Sequence, residues 1–193
     1  MEKPYLLIVT GRPGAGKTTF AKTLGEALFM PVISRDQIKE GYVHTFGKKH
    51  SELPEDANAA VTGIFFDTLA MLTDRRVSVI AEAAFQHELW AARLEPLAEK
   101  ARIHMLICRT DGQTALNRFV QRGLENPLRE YFHGDKGVDM ARKGIPLTVN
   151  AYEEPHLALP TLYVDTSGDY RPSLAELKTV ILGTSVWPTD PET

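Results

Sequence analysis

Residues 11–18 read Gly11-Arg12-Pro13-Gly14-Ala15-Gly16-Lys17-Thr18 and fit the pattern G-x-x-x-x-G-K-[ST] at every required position. The stretch directly before them, residues 5–10, is apolar and β-branched, which is typical of a strand buried on both faces. The stretch after them repeats apolar residues at helical spacing until Pro31 stops the pattern. A strand, a glycine-rich turn and a helix in this order predict a loop whose backbone amides surround phosphate groups.

The chemistry of such a loop assigns a task to each of its parts. Glycines let the chain curl so that successive N–H groups point inward, and the helix N-terminus adds partial positive charge. Lys17 is expected to reach the β- and γ-phosphates, and the Thr18 hydroxyl is expected to coordinate Mg²⁺. The sequence therefore predicts ATP and Mg²⁺ as cofactors, with the nucleotide held by Gly11, Arg12, Pro13, Gly14, Ala15, Gly16, Lys17, Thr18 and Thr19.

The rest of the chain alternates between short apolar runs and helical patterns. Further strands are predicted at residues 31–33, 77–81, 103–108 and 161–165. Helices are predicted at residues 34–41, 55–73, 87–100, 111–122 and 173–181, with a loop at 44–54. Such alternation predicts an α/β three-layer sandwich with a mostly parallel five-stranded sheet. The carboxyl ends of its strands should face one shared crevice, where ligands collect.

Length and composition indicate one globular domain. The chain has 193 residues, and we expect residues 1–185 to form a single domain followed by a tail at 186–193. A glycine-containing excursion at about 118–149 breaks the alternation and is expected to form a mobile segment with short helices.

Charge and cysteine content restrict the partners and the location. No apolar run is long enough to cross a bilayer and the N-terminus lacks the features of a signal peptide, so we expect a cytoplasmic protein without membrane contact. The single cysteine, Cys108, is expected in the core. The net charge of −3 counts against a nucleic-acid partner without excluding it. A monomer and a homodimer remain equally open.

Asp36 is the residue that bears most on the type of reaction. It follows the predicted second strand at the start of a helix, where a carboxylate can accept a proton from a hydroxyl aligned with the γ-phosphate. The simpler interpretation is an acid that only complements the helix dipole. Both can hold together, and the first predicts a general base.

At these residues the sequence resembles a known group of enzymes. The loop at residues 11–19, together with Ile33-Ser34-Arg35-Asp36-Gln37-Ile38, is similar to the P-loop kinases that include polynucleotide kinase, chloramphenicol phosphotransferase and zeta toxins, and to AAA-type predicted kinases. The resemblance extends over residues 4–125. It implies the P-loop NTPase fold with a helical lid and a phosphotransferase with an alcohol acceptor, in which Asp36 is the catalytic base.

The same resemblance assigns roles to residues further along the chain. Val79-Ile80-Ala81-Glu82 is similar to the third-strand segment that ends in an acid, which implies that Glu82 assists in holding magnesium. The segment at 117–123 is similar to a lid, which implies that Arg118 or Arg122 clasps the transferring phosphate. Their i, i+4 spacing places both on one helix face. The sequence departs from many relatives after Glu82, where Ala84 and Phe85 predict a more apolar pocket.

Recognition of the acceptor is assigned to residues around the predicted base and to the excursion. Arg35, Lys39 and Phe85 are the principal predicted substrate-binding residues, and the weaker candidates are Tyr42, His44, Arg129, Tyr131 and His133. The favoured function is a kinase that phosphorylates a hydroxyl of a small molecule. The alternatives are a polynucleotide 5′-hydroxyl kinase and an ATP-binding switch with slow ATPase activity.

Overall fold

The computed structural model describes residues 2–134, 136–149 and 152–183. Its five strands form one sheet in which every neighbouring pair is parallel. The strand order is β2-β3-β1-β4-β5. The bounds are β1 Tyr5–Thr10, β2 Val32–Ser34, β3 Val79–Glu82, β4 Arg102–Arg109 and β5 Thr161–Asp165. The predicted five-stranded α/β sandwich is therefore confirmed, and the sheet is wholly parallel within the described residues.

Helices cover both faces of the sheet. Within the described residues they are α1 Lys17–Leu28, α2 Arg35–Phe46, α3 Ala57–Asp74, α4 His87–Ala98, α5 Gly112–Glu125, α6 Leu128–His133, α7 Lys136–Arg142 and α8 Leu174–Leu182. Helices α3 and α4 pack on one face, where Phe65 and Trp90 are fully buried against Ile8. Helices α1 and α8 pack on the other face, where Phe20 and Leu177 are buried against Leu7. Among the described residues, no helix is long and apolar enough to span a bilayer.

The central strand β1 explains why the sheet is buried on both sides. Leu6 and Ile8 point into the core under α3 and α4, whereas Leu7 and Val9 point into the core under α1 and α8. Alternate residues of a strand face opposite sides, so a strand covered by helices on both faces must be apolar throughout. Cys108 on the neighbouring strand β4 is buried as expected. Burial raises the pKa of its thiol to about 12.

Helix α2 is longer than the sequence pattern predicts. We expected it to end at Gly41 and to be followed by a loop, but it continues to Phe46, and a short 3₁₀ turn follows at His50–Glu52. Val43 is fully buried, so tertiary packing extends the helix beyond Gly41, and the rings of Tyr42 and Phe46, one helical turn apart, stack at 4.7 Å within it. The helix ends before Gly47, whose left-handed backbone conformation lets its N–H donate to Val43 O.

The predicted excursion forms a helical cap over the carboxyl ends of the strands. Helix α5 runs through Gly123 and is followed by the short helices α6 and α7. A side chain at Gly123 would collide with Val138 of α7, so the absence of one there allows these two helices to approach closely. The predicted tail at residues 186–193 lies outside the described residues.

Candidate functional site

The glycine-rich loop has the backbone shape that its sequence predicts. Gly11 and Gly14 adopt positive φ angles of 142° and 82°. A Cβ at Gly11 would lie 2.4 Å from Cys108 O, and one at Gly14 would lie 1.9 Å from Ala115 O. Side chains at these positions would therefore force the loop away from β4 and α5. Helix α1 begins directly after the loop, at Lys17.

Lys17 lies at the centre of the site and is almost fully buried. Its ammonium donates a hydrogen bond to Arg12 O at 3.0 Å. Burial lowers the pKa of Lys17, and the nearby carboxylates of Glu82 and Asp36 oppose that shift. A buried cation beside a loop of backbone amides fits a phosphate chain, whose negative charge would compensate the desolvation of the ammonium.

Glu82 ends β3 beside Lys17 and links two hydroxyl-bearing residues. Ser34 Oγ donates to Glu82 Oε2 at 2.6 Å, and Thr18 Oγ1 donates to Glu82 Oε1 at 3.4 Å. Burial raises the pKa of Glu82, whereas the bond from Ser34 and the charge of Lys17 lower it. Carboxylate and hydroxyl oxygens are the hard ligands that Mg²⁺ prefers, so this donor set fits magnesium.

Asp36 lies across from these residues, in the first turn of α2. Its side chain is 58% exposed and approaches Arg35 Nη1 at 3.9 Å. The exposed carboxylate can therefore meet a molecule that enters from solvent. The parallel pairing of β2 with β3 brings it close to Glu82, because Ser34 and Glu82 are register partners at the carboxyl ends of their strands.

These side chains line one compact cleft, which we call the basic cleft. Its volume is about 270 Å³. It contains more cationic than anionic side chains, and its main lining residues are Lys17, Thr18, Thr19, Arg35, Asp36, Lys39, Glu82, Arg122, Arg129 and His133. The predicted nucleotide, metal, base and acceptor residues Lys17, Thr18, Asp36, Glu82, Arg35 and Lys39 are thus brought together.

The helical cap closes one side of the basic cleft. Arg122 of α5 lies near enough to Lys17 to disfavour its charge. The buried His133 of α6 contacts Glu40 of α2 through Nε2 and Oε1 at 2.8 Å. This contact fastens α6 to α2 and holds Arg129, which precedes His133 on the same helix, at the rim of the cleft.

Arg118 is the predicted catalytic residue that the structure places elsewhere. Its guanidinium donates to Thr166 O and Ser167 O, both at 3.1 Å, and it does not line the basic cleft. Although Arg118 and Arg122 share a helix face, their long side chains reach different surroundings. Arg109, at the end of β4, is paired with Glu154 and lies over the ring of Tyr163, also outside the basic cleft.

Phe85 also lies outside the basic cleft, in the wall of an adjoining cavity. Its ring packs on Trp90 at 4.8 Å and on Phe66 at 5.8 Å. The adjoining cavity has a volume of about 780 Å³ and is lined mainly by apolar side chains. Ala84 lines both spaces. The expectation of a more apolar pocket after Glu82 agrees with this wall.

Two residues of the site were missed by sequence reasoning. Ser34 directly precedes α2, where a serine is typically a helix cap, but its side chain makes no cap bond and contacts Glu82 instead. Thr166 lies after β5, and its hydroxyl is 2.6 Å from Ala15 O and 2.9 Å from Arg109 O, so it ties the glycine-rich loop to the sheet. The only sequence signal for a role in the site was that both residues lie at the carboxyl end of a predicted strand.

Comparison with protein families agrees with this geometry. A family model described as an AAA domain matches residues 6–141, which is most of the chain. The chain belongs to the AAA domain family. The matched part of this AAA domain contains the glycine-rich loop, Asp36, Glu82 and Arg122, and the resemblance to P-loop kinases drawn from the sequence is confirmed. No protein with a curated description matches significantly.

Solved structures share the fold of this AAA domain. A candidate kinase from Chloroflexus aurantiacus is 23% identical with a TM-score of 0.72, over 92% of this chain and 98% of that one. An APS kinase from Mycobacterium tuberculosis, solved with AMPPNP and APS, is 17% identical with a TM-score of 0.61, over 92% and 96%. A gluconokinase from Sinorhizobium meliloti is 17% identical with a TM-score of 0.53, over 95% and 93%. At these identities the likeness shows the fold alone, which is a P-loop kinase-like fold.

Proposed function

We propose that this protein is an ATP-dependent kinase that transfers the γ-phosphoryl group to a hydroxyl of a small molecule, with Asp36 as general base. The observation that supports it is the convergence of Lys17, Asp36, Glu82 and Arg122 on one cleft beside the glycine-rich loop. A carboxylate is needed where the acceptor is an alcohol, because the hydroxyl proton must leave as the new bond forms. An acceptor that is already a phosphate would need no such base.

In this proposal each residue has one task. The loop amides and Lys17 hold the β- and γ-phosphates. The Asp36 carboxylate accepts the hydroxyl proton, the acceptor oxygen bonds to the γ-phosphorus, and the bond from that phosphorus to the β–γ bridging oxygen breaks to release ADP. Thr18 and Glu82 would hold Mg²⁺, which supplies positive charge to the phosphate oxygens.

The shape of the basic cleft favours a small acceptor over a nucleic acid. Binding of a nucleic-acid strand depends on contacts to several successive phosphates, which require an extended basic channel. The cationic residues here converge in a compact space of about 270 Å³. The contact between His133 and Glu40 also closes one side of it.

Transfer of the terminal phosphate of labelled ATP to a panel of acceptors tests the function. The panel contains neutral alcohols, sugars, hydroxy acids, nucleosides and oligonucleotides with a 5′-hydroxyl. We expect labelled product from at least one small molecule and none from oligonucleotides. ATP binding with slow hydrolysis and no transfer to any acceptor would instead support a nucleotide-dependent switch, and transfer only to oligonucleotides would support a polynucleotide kinase.

Replacing Glu82 by Gln tests the proposed metal site. The amide keeps the size of the side chain but lacks the negative charge, so we expect the Mg²⁺ concentration for half-maximal transfer to rise about tenfold or more. The measurement is the transfer rate as a function of Mg²⁺ at saturating ATP. Glu26→Gln, on the exposed face of α1, is the matched control and should leave the Mg²⁺ dependence unchanged. An unchanged Mg²⁺ dependence in Glu82→Gln would remove Glu82 from the metal site.

Replacing Arg122 by Ala tests the lid. Arg122 is exposed, so water screens its charge, and Arg129 in the same cleft can replace part of that charge. We therefore expect a loss in kcat of only about tenfold, with a smaller change in ATP affinity. Arg118→Ala is the comparison, since it removes the bonds to Thr166 and Ser167 and should reduce thermal stability instead. Equal losses of kcat and ATP affinity in Arg122→Ala would make Arg122 a simple ATP ligand.

A further inference from the structure

The cavity beside the basic cleft, which we call the apolar cavity, is a large space that the proposed tasks of the site residues leave without a function. Its volume of about 780 Å³ lies within the range of roughly 300–1,000 Å³ that is usual for sites of small organic ligands. Its apolar side chains come from three separate segments and include Phe85, Leu89, Leu116, Phe119, Leu147 and Val149. The space therefore offers mostly hydrocarbon surface.

The apolar cavity adjoins the basic cleft. Pro13, Ala84 and Phe119 line both spaces. On helix α5, Arg122 follows Phe119 by three residues, so both lie on one helix face. This face is apolar beside the cavity and basic beside the cleft. A molecule in the cavity can therefore extend one end past Pro13 and Ala84 toward the glycine-rich loop.

Contacts within the protein fix the position of Phe85 in the wall of the apolar cavity. Phe85 packs against Trp90 and Phe66, which belong to the buried core. The hydroxyl of Tyr152 donates to Phe85 O at 3.4 Å from the opposite side. Because these contacts exist before any ligand binds, the wall does not have to be ordered at a further cost in entropy.

The polar groups of the apolar cavity are few. They are Arg12, Gln86, Glu88, Thr148 and Tyr152, of which Gln86, Glu88 and Thr148 are exposed. A sugar or another polyol would bury several hydroxyls against Phe85 and Leu116, and each hydroxyl left without a partner costs free energy. An uncharged molecule with a hydrocarbon body would lose no such bonds and would gain from burial.

On the basis of the proposed function, we propose that the acceptor is an uncharged alcohol with a largely apolar body. The body occupies the apolar cavity against Phe85, Leu116 and Phe119. Its hydroxyl projects past Pro13 and Ala84 into the basic cleft, where Asp36 takes the proton and the oxygen receives the γ-phosphoryl group of ATP. The products are a phosphate monoester and ADP.

Binding of Nile red, a neutral fluorescent dye with a fused ring system, tests the cavity without requiring turnover. We expect saturable fluorescence enhancement in the presence of a non-hydrolysable ATP analogue, and competition by benzyl alcohol or cyclohexylmethanol. Leu116→Gln should raise the dissociation constant of the dye about tenfold, because it places an amide against the apolar body. Leu124→Gln, on the exposed part of the same helix, is the matched control and should not change it.

A second variant tests the cavity independently, in case Leu116→Gln does not fold. Leu147→Gln changes a half-buried residue of the opposite wall, which belongs to no helix or strand, and should weaken dye binding in the same direction. Thermal unfolding of each variant shows whether it is folded. Absence of saturable binding, or equal binding by the parent, Leu116→Gln and Leu147→Gln, would overturn the inference.

Transfer kinetics separate failure of this inference from failure of the proposed function. For the best neutral alcohol, we expect Leu116→Gln to raise KM about tenfold with kcat changed less than about twofold, since the residue contacts the body and not the reacting atoms. Efficient transfer to sugars, hydroxy acids or other anionic alcohols with a KM unaffected by Leu116→Gln would overturn the inference and leave the kinase standing. Absence of transfer to every class would overturn both.

Discussion

Lys17→Ala is expected to reduce phosphoryl transfer by about 10³-fold or more, since loss of a single preorganised donor to developing charge costs about 10²–10³ and Lys17 also positions the phosphates. Its ammonium is almost fully buried, next to Glu82. A water molecule that replaced the side chain would restore neither the charge nor its position. The measurement is single-turnover transfer from labelled ATP to the best acceptor.

The control for this prediction lies one turn further along α1. Lys22 is exposed, and Lys22→Ala should leave transfer unchanged. Thermal unfolding without nucleotide distinguishes loss of function from loss of fold. Removing Lys17 relieves the desolvation of a buried cation but also takes a compensating positive charge away from the buried Glu82, so the two effects oppose each other and we expect a moderate loss of stability in the absence of ATP. Transfer at a rate close to that of the parent would contradict the assignment of the glycine-rich loop as the phosphate site.

Asp36→Asn is expected to lower kcat by roughly 10² or more, the usual contribution of a positioned general base. The amide keeps the shape of the side chain but cannot accept the hydroxyl proton. ATP affinity should remain nearly unchanged, because in the proposed mechanism Asp36 contacts the acceptor whereas the loop amides hold the nucleotide. Steady-state kinetics together with equilibrium binding of an ATP analogue separate the two quantities.

Asp67→Asn is the matched control for the base. Asp67 lies on the exposed face of α3 outside the basic cleft, so its substitution tests only the general effect of removing a surface carboxylate. A parental rate in Asp36→Asn would mean that another group, or water, receives the proton. Asp36 would then only interact favourably with the dipole of α2, which was the simpler interpretation of its position.

Local sequence patterns were sufficient for much of the fold. The predicted bounds of β1 and β5, residues 5–10 and 161–165, coincide with the structure. Both strands are short runs rich in apolar or β-branched residues and bounded by clear breakers, so their composition and the turn signals agree. The end of α2 could not be predicted, because it depends on the burial of Val43 by the rest of the fold.

The two lid arginines show the limit of spacing arguments. Residues four apart on a helix point in the same direction at Cβ, but a guanidinium lies several bonds further out. The carbonyls of residues 166 and 167, contributed by the segment after β5, draw Arg118 away from the basic cleft. No pattern in residues 112–125 contains that information, since the partners lie far along the chain.

The sequence alone determined the glycine-rich loop, the mostly parallel sheet that carries it and the placement of Asp36 and Glu82 after strands, because these depend on backbone geometry and on the local pattern of apolar residues. Only the tertiary structure decided which side chains share the basic cleft, that Ser34 supports Glu82, and that an apolar cavity opens beside Pro13 and Ala84. Those features are built by segments distant in sequence, whose approach is fixed by packing of the two cores and not by any local preference.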